Sequence, residues 1–222
     1  MLPLGVLKKR PINGYVLDPA KVKLLLHFDG NYNDSSPNNH TMTSGGNVSI
    51  STDSPKFGTG KLQFGNTPVK DGFLRSPNSF DFGNKRPFTV SFFYKDGDGN
   101  GCFFRTNDSP AYTPMVLARG GNFLFGNDAL SGWTYVASGA NGGPIAYQHY
   151  AVVGDGTRIK GYRDGIAQFD IAHPNWPSVN SFLQFGKDGF TGYSSGGMDE
   201  FLLYDGVLWT SNFTPPTAPF TY

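Results

Sequence analysis

The residues able to do chemistry are unevenly stocked: the 222-residue chain has sixteen Asp but a single Glu, Glu200. Cleavage of a glycosidic bond by two carboxyls needs one as acid and one as base or nucleophile, held about 5–10 Å apart. No D-x-D or D-x-x-D falls in a strand-like run. Asp96 and Asp98 sit in the turn-like DGDGNG, and Asp199 adjoins Glu200, so that in a regular strand the two face opposite sides. A carboxylate-pair enzyme is therefore not expected. Nor is a nucleophilic one, because no G-x-S-x-G elbow occurs and Cys102 opens an apolar run, where a buried, inert thiol is expected. His27, His40, His149 and His173 lack the i, i+2 or i, i+4 spacing of transition-metal ligands.

Calcium is the one ion worth weighing. DGDGNG (96–101) reproduces the first six positions of an EF-hand loop, in which Asp96 and Asp98 would converge on the ion. The twelfth position, however, is Asn107 where a bidentate Glu belongs, and a solvated hairpin turn accounts equally well for the Asp and Gly. For ligand binding, Tyr32, Tyr112, Trp133, Trp176 and Tyr193 stand in polar, Asn- and Asp-rich loops. Flat rings that stack on a sugar face, with amides and carboxylates to fix its hydroxyls, make such a site. Core or rim packing is the competing role for each of them.

Composition bounds the partners. The net charge is +1, and the 18 Lys and Arg are scattered apart from Lys8, Lys9 and Arg10, so no basic face for nucleic acid is expected. No apolar run is long enough for a membrane-spanning helix, and MLPLGVLKKR places its charge after a short apolar patch, the wrong order for a secretory signal. Synthesis in the cytoplasm is expected, with the sequons at Asn33, Asn39, Asn47, Asn107 and Asn212 left unmodified.

The elements that must hold these residues read as strands. After a Pro-rich stretch of about 20 residues without helix or strand period, β-branched and aromatic runs alternate with Gly, Asn, Asp and Pro clusters every 8 to 15 residues. KVKLLLHF, KLQF, FTVSFFYK, GCFFRT, YQHYAVV, TRIKGYR and MDEFLLY are typical. Twelve or so short strands predict an all-β, two-sheet antiparallel sandwich. Asp164-Gly165 predicts a tight hairpin within a meander of 148–153, 158–163 and 166–171. A single helical turn is expected near Leu208–Asn212. Domain organisation is read as an extended N-terminal arm over residues 1–20 and one domain over 21–222, of a length that buries roughly 70% of its surface without disulfides.

Four blocks in order, LLLHFDGNYNDSSPNNHTMT, FGTGKLQFGN, PFTVSFFYK, and the pair HYAVVGDGTRIKGYRDG with GGMDEFLLYDGVLW, resemble the laminin G-like, concanavalin A-like jelly-roll family. That resemblance implies a jelly roll, and in such domains calcium often lies between the opening loop and the closing strand. Asp29, Asp34 and Asp199 occupy the matching blocks. No other cofactor is implied. The ending, LWTSNFTPPTAPF, is similar to the tails of such domains in structural proteins of tailed bacteriophages. The expectation is a non-enzymatic virion protein: a tail-associated module for host surface glycan, or alternatively a capsid decoration protein. A polysaccharide-degrading enzyme is the third reading. Either virion role implies contact with other virion proteins and several copies, as a homo-oligomer, with the arm available to reach a neighbour.

Overall fold

The computed structural model describes residues 15, 17–65, 71–95, 101–106, 115–119, 122–126, 136–138, 146–187 and 194–222. Two antiparallel sheets pack face to face. The first contains β1 (Val22–Leu26), β3 (Val48–Ser51), β4 (Lys61–Phe64), β6 (Phe88–Lys95), β11 (Gln148–Gly154), β12 (Arg158–Arg163), β13 (Ile166–Ala172) and β15 (Gly196–Tyr204). Its order is β13-β12-β11-β6-β15-β4-β3, with β1 paired to the second half of β15. The second sheet runs β10 (Val136–Ser138), β9 (Asn122–Gly126), β8 (Met115–Arg119), β7 (Gly101–Thr106), β14 (Leu183–Phe185), β5 (Phe73–Arg75) and β2 (Thr43–Gly45).

Alternation along these strands builds the core. Val90, Phe92 and Tyr94 of β6 point between the sheets, where Phe92 lies 5.2 Å from Phe103, 5.5 Å from Tyr150 and 6.2 Å from Phe201. Burying each such ring removes about 1.5–3 kcal/mol of exposed apolar surface from water. The expected hairpin forms: Asp164 and Gly165 take φ of 49° and 75°, the left-handed pair of a type I′ turn. A Cβ on Gly165 would stand 1.8 Å from the Phe213 carbonyl oxygen, so glycine is also required there by close approach.

A second apolar cluster lies on the outer side of the first sheet. Val22, Leu25, Ala151, Val153, Tyr162, Leu202 and Tyr204 are covered there by Leu17, Trp209 and Phe220, with Tyr15 and Phe213 packed alongside. Trp209 and Phe213 stack at 4.0 Å, and Leu17 N–H donates to the Thr221 carbonyl. Two expectations change. Tyr15 and Leu17, counted in the arm, pack into this cover. The helical turn lies not at Leu208–Asn212 but at Pro19–Lys21, as a 3-10 turn capped by the Asp18 carboxylate, which accepts from Ala20 N–H. The 208–212 stretch is instead irregular chain, in which Trp209 stacks on Phe213 and meets His149 edge-on.

Candidate functional site

An open cleft of about 340 Å³ lies at one end of the sandwich, between the end of β1, the 38–40 loop, the 79–88 segment, Asn180 and the end of β15. Its floor is apolar: Phe80, Phe82, Phe88 and Leu203. Its walls carry Lys23, Asn38, His40, Ser79, Asp81, Arg86, Asn180 and Asp205. None of these was a candidate in the sequence, since they come from five separate segments.

Local geometry explains why they meet. Ser79 and Phe80 N–H both donate to the Ser181 carbonyl, and Ser181 N–H donates back to Phe80, which ties the 79–88 segment to Asn180. Asn84 and Lys85 then both adopt left-handed φ, 54° and 52°, and turn the chain so that Arg86 reaches the cleft. For non-glycine residues that backbone costs about 1–2 kcal/mol each. Opposite, Asp34 accepts from the N–H groups of Leu25, Ser36 and His40 and from the Ser36 hydroxyl. It thereby sets the loop in which Asn38 donates to the Val22 and Lys23 carbonyls and the His40 ring meets Phe80 edge-on at 5.2 Å.

The charged groups of the walls are paired. Lys23 Nζ lies 3.6 Å from Asp205 and Arg86 Nε 3.9 Å from Asp81. Burial works to raise the Asp81 carboxyl, but the Ser178 hydroxyl, the Gly83 and Val179 N–H groups and Arg86 outweigh it and hold it below its ordinary value. It is ionised at neutral pH.

The residues expected to hold calcium do not converge. Asp34 spends both oxygens on the cleft loop. Asp29 accepts from Thr59 N–H, the Thr59 hydroxyl and Gly60 N–H, whereas Asp199 accepts from Lys56, Phe57 and Glu200 N–H. Among the described residues no three acidic or histidine side chains form a group able to hold a metal ion. Hydrogen bonds thus occupy both oxygens of Asp34 and Asp199 and Oδ1 of Asp29. Asp96 and Asp98 lie outside the described residues.

Asp199 and Glu200 correct a second expectation. Met198 and Phe201 both enter the inter-sheet core, so the strand advances three residues between inward positions. The register against β6 steps from Asp199↔Phe93 to Leu202↔Ser91, and Glu200 takes φ of 51°. This bulge puts both carboxyls on the outer side of the sheet. Both are buried, at 0% and 1% exposure. Glu200 Oε1 lies 2.7 Å from His27 Nδ1, and Oε2 accepts from Phe220 N–H. The hydrogen bond to Glu200 raises His27 above its ordinary value against the cost of burial. Burial pushes Asp199 up to about 7 despite its three N–H donors. His149, buried beside the Lys56 ammonium, falls to about 3 and shares a 2.8 Å hydrogen bond with Ser91.

The aromatic candidates scatter. Trp176 is 2% exposed, packed 5.4 Å from His173 and 6.1 Å from Phe125, so it closes the end of the core and is no sugar platform. Tyr32 is half-buried, with its hydroxyl donating to the Val48 carbonyl. Tyr112, Trp133 and Tyr193 lie outside the described residues.

A family model described as the concanavalin A-like lectin/glucanases superfamily matches residues 68–211. No curated protein sequence matches the chain. Among solved structures, domain 4 of AbnA, a GH43 extracellular arabinanase from Geobacillus stearothermophilus in complex with arabinotriose, is similar with a TM-score of 0.67 at 19% identity, over 85% of this chain and 94% of that one. The botulinum neurotoxin serotype G binding domain gives 0.65 at 14%, over 85% and 48%. A structure of botulinum neurotoxin type C, whose cell entry depends on two ganglioside molecules, gives 0.62 at 12%, over 86% and 49%. The chain thus spans about half the length of either toxin structure, and at these identities the likeness is one of fold. With the matched region spanning both sheets and the closing strand, the chain belongs to the concanavalin A-like lectin/glucanases superfamily.

Proposed function

We propose that this chain is a non-catalytic glycan-binding module of a tailed-phage virion, associated with the tail, and that its ligand sits in the cleft between Lys23, His40, Arg86 and Asn180. The observation that carries the reading is the cleft itself. Hydrogen-bonding groups from five segments of the chain converge there over an apolar base in which Phe80, Phe82 and Phe88 are only 4–6% exposed, and that polar lining suits sugar hydroxyls. Superfamily membership supports a sugar ligand, and the resemblance of the closing segment to phage structural proteins supports the virion setting. A non-catalytic role is supported by the adjacent carboxyls: Asp199 and Glu200 share a face but are sealed under Lys56, Phe57 and Phe220. Several copies on one particle would add avidity to a shallow site.

The test is a glycan array followed by calorimetry on the purified protein. At least one glycan binds, Arg86→Ala with Asn180→Ala weakens it about tenfold or more at unchanged melting temperature, and no reducing ends are released. Hydrolysis abolished by Glu200→Gln would show an enzyme, and binding indifferent to the double substitution would place the site elsewhere.

A further inference from the structure

Resting on the cleft as the glycan site, we infer that its ligand is a neutral glycan terminus of one or two residues presenting vicinal hydroxyls, and not an acidic or extended polysaccharide. Charge is the first argument. The four ionised side chains lining the cleft are two cations and two anions, paired as Lys23–Asp205 and Arg86–Asp81. With Asp81 held ionised, the lining charges cancel at neutral pH. An anionic sugar would meet Asp81 and Asp205 along with the cations, and a cationic one would meet Lys23 and Arg86. A neutral ligand displaces only water and disturbs neither pair.

Hydrogen-bonding valence is the second argument. A carboxylate only accepts, and an ammonium or guanidinium only donates. The Lys23–Asp205 pair therefore offers an acceptor beside a donor at 3.6 Å, whereas Asp81 is filled by the Gly83 and Val179 N–H groups and the Ser178 hydroxyl and leaves Arg86 as the donor on its side. Adjacent sugar hydroxyls match the Lys23–Asp205 pair, one donating to the carboxylate while its neighbour accepts from the cation. Arg86 is 57% exposed and Asn180 is exposed, so both can reach a ligand without leaving the fold. His40, Ser79 and Asn38 supply further groups on the same rim.

Size is the third. The volume of about 340 Å³ lies at the lower end for ligand sites, and its floor is three rings of which Phe82 and Phe88 meet edge to face at 5.3 Å. That volume accommodates one sugar ring, with room for part of a second. A long polysaccharide would need a groove running on past a cleft of this volume.

The experiment is calorimetric titration with neutral mono- to hexasaccharides and with the uronate counterpart of each, at 50 and 500 mM NaCl. The expected result is a neutral series whose affinity levels off at the disaccharide, changes less than twofold with salt, exceeds its uronate counterpart at least tenfold, and falls at least tenfold in Asn180→Ala. A uronate series that binds more tightly, a tenfold loss of affinity in high salt, or affinity still rising beyond three residues overturns this inference while leaving a glycan site standing. No binding by any member, in a protein with an intact cooperative melt, overturns the cleft reading as well.

Discussion

Acidification from pH 8 to pH 5 adds a stabilising contribution through Asp199, which the difference between the native protein and Asp199→Asn isolates. Its carboxyl is wholly buried on the outer side of β15 and sits at about 7, against an ordinary value of 3.8. A folded-state value above the unfolded one means that the native state holds a proton the unfolded state has released, so the stabilisation is full below the unfolded value and is lost as pH rises through the folded one. Between pH 5 and pH 8 the loss is about 2.5 kcal/mol, from 1.36 kcal/mol per unit over the two units below 7. Taken alone, for a chain of this size that contribution is worth roughly 5–10 °C of melting temperature. His27, also raised, acts in the same direction, its contribution being lost above about pH 6.5. His149, held by burial at about 3, and His173, also lowered by burial, act the other way: below about pH 6.5 they bind protons in the unfolded chain, and His149 alone costs about 2 kcal/mol at pH 5. Asp81 and Asp155 are lowered, and their contributions are lost only in stronger acid, outside this window. The assay is urea unfolding at pH 5, 6, 7 and 8 for the native protein and for Asp199→Asn. The variant loses baseline stability, because an amide cannot accept from Lys56, Phe57 and Glu200 together, and its pH dependence should be the part set by His27, His149 and His173. Relative to the variant, the native protein should therefore lose about 2.5 kcal/mol between pH 5 and 8; parallel curves for the two proteins would show that three N–H donors outweigh burial and would refute the reasoning.

Two further outcomes follow from the same geometry. Millimolar calcium should shift the melting temperature by less than about 1 °C, because Asp34 and Asp199 accept backbone N–H groups on both oxygens and Asp29 does so on Oδ1; a larger shift removed by EDTA and by Asp96→Ala with Asp98→Ala would assign calcium to the DGDGNG turn. Deletion through residue 20 should cost about 2–4 kcal/mol relative to deletion of residues 1–14, since it strips Leu17, and Tyr15 with its 5.3 Å contact to Trp209, from the outer face; equal stability of the two truncations in urea would show that the cover holds without them.

What the sequence made legible is what local pattern encodes. FTVSFFYK and GCFFRT coincide with β6 and β7, because consecutive β-branched and aromatic residues suit a pleated, buried surface and carry no helical period. Asp164-Gly165 could be read because left-handed turn geometry selects so few residues. The short strands β2 and β3, TSG and VSIS, carry too few large apolar residues to stand out from loops. The bulge at Glu200 was invisible for a different reason. Both faces of FLLY are apolar, one toward the core and one under the C-terminal cover, so nothing in GGMDEFLLY marks the change of parity. Trp176 misled because HPNWPS reads as an exposed loop, although that loop folds over the open end of the core. The cleft could not be read at all, its walls being up to 182 positions apart in the chain, from Lys23 to Asp205.

The lopsided acid content then has a structural cause. Asp18, Asp34, Asp81 and Asp155 each accept from the backbone N–H two residues on, a contact that the short aspartate side chain makes and that fixes a turn. Asp29, Asp71, Asp164 and Asp199 do the same across the fold, pinning the N–H groups of Thr59, Asn47, His149 and Lys56. In a sandwich with many irregular connections these carboxylates satisfy backbone donors that no strand partner reaches. Glu200 stands at the one position where the longer side chain is used, bridging His27 and Phe220 from the top of a bulge. Acid residues that secure loops are not free to act as ligands or catalysts. The groups left to meet a partner in the cleft are therefore the basic and amide side chains of its rim, Lys23, His40, Arg86 and Asn180, with Asp81 and Asp205 as their counter-charges.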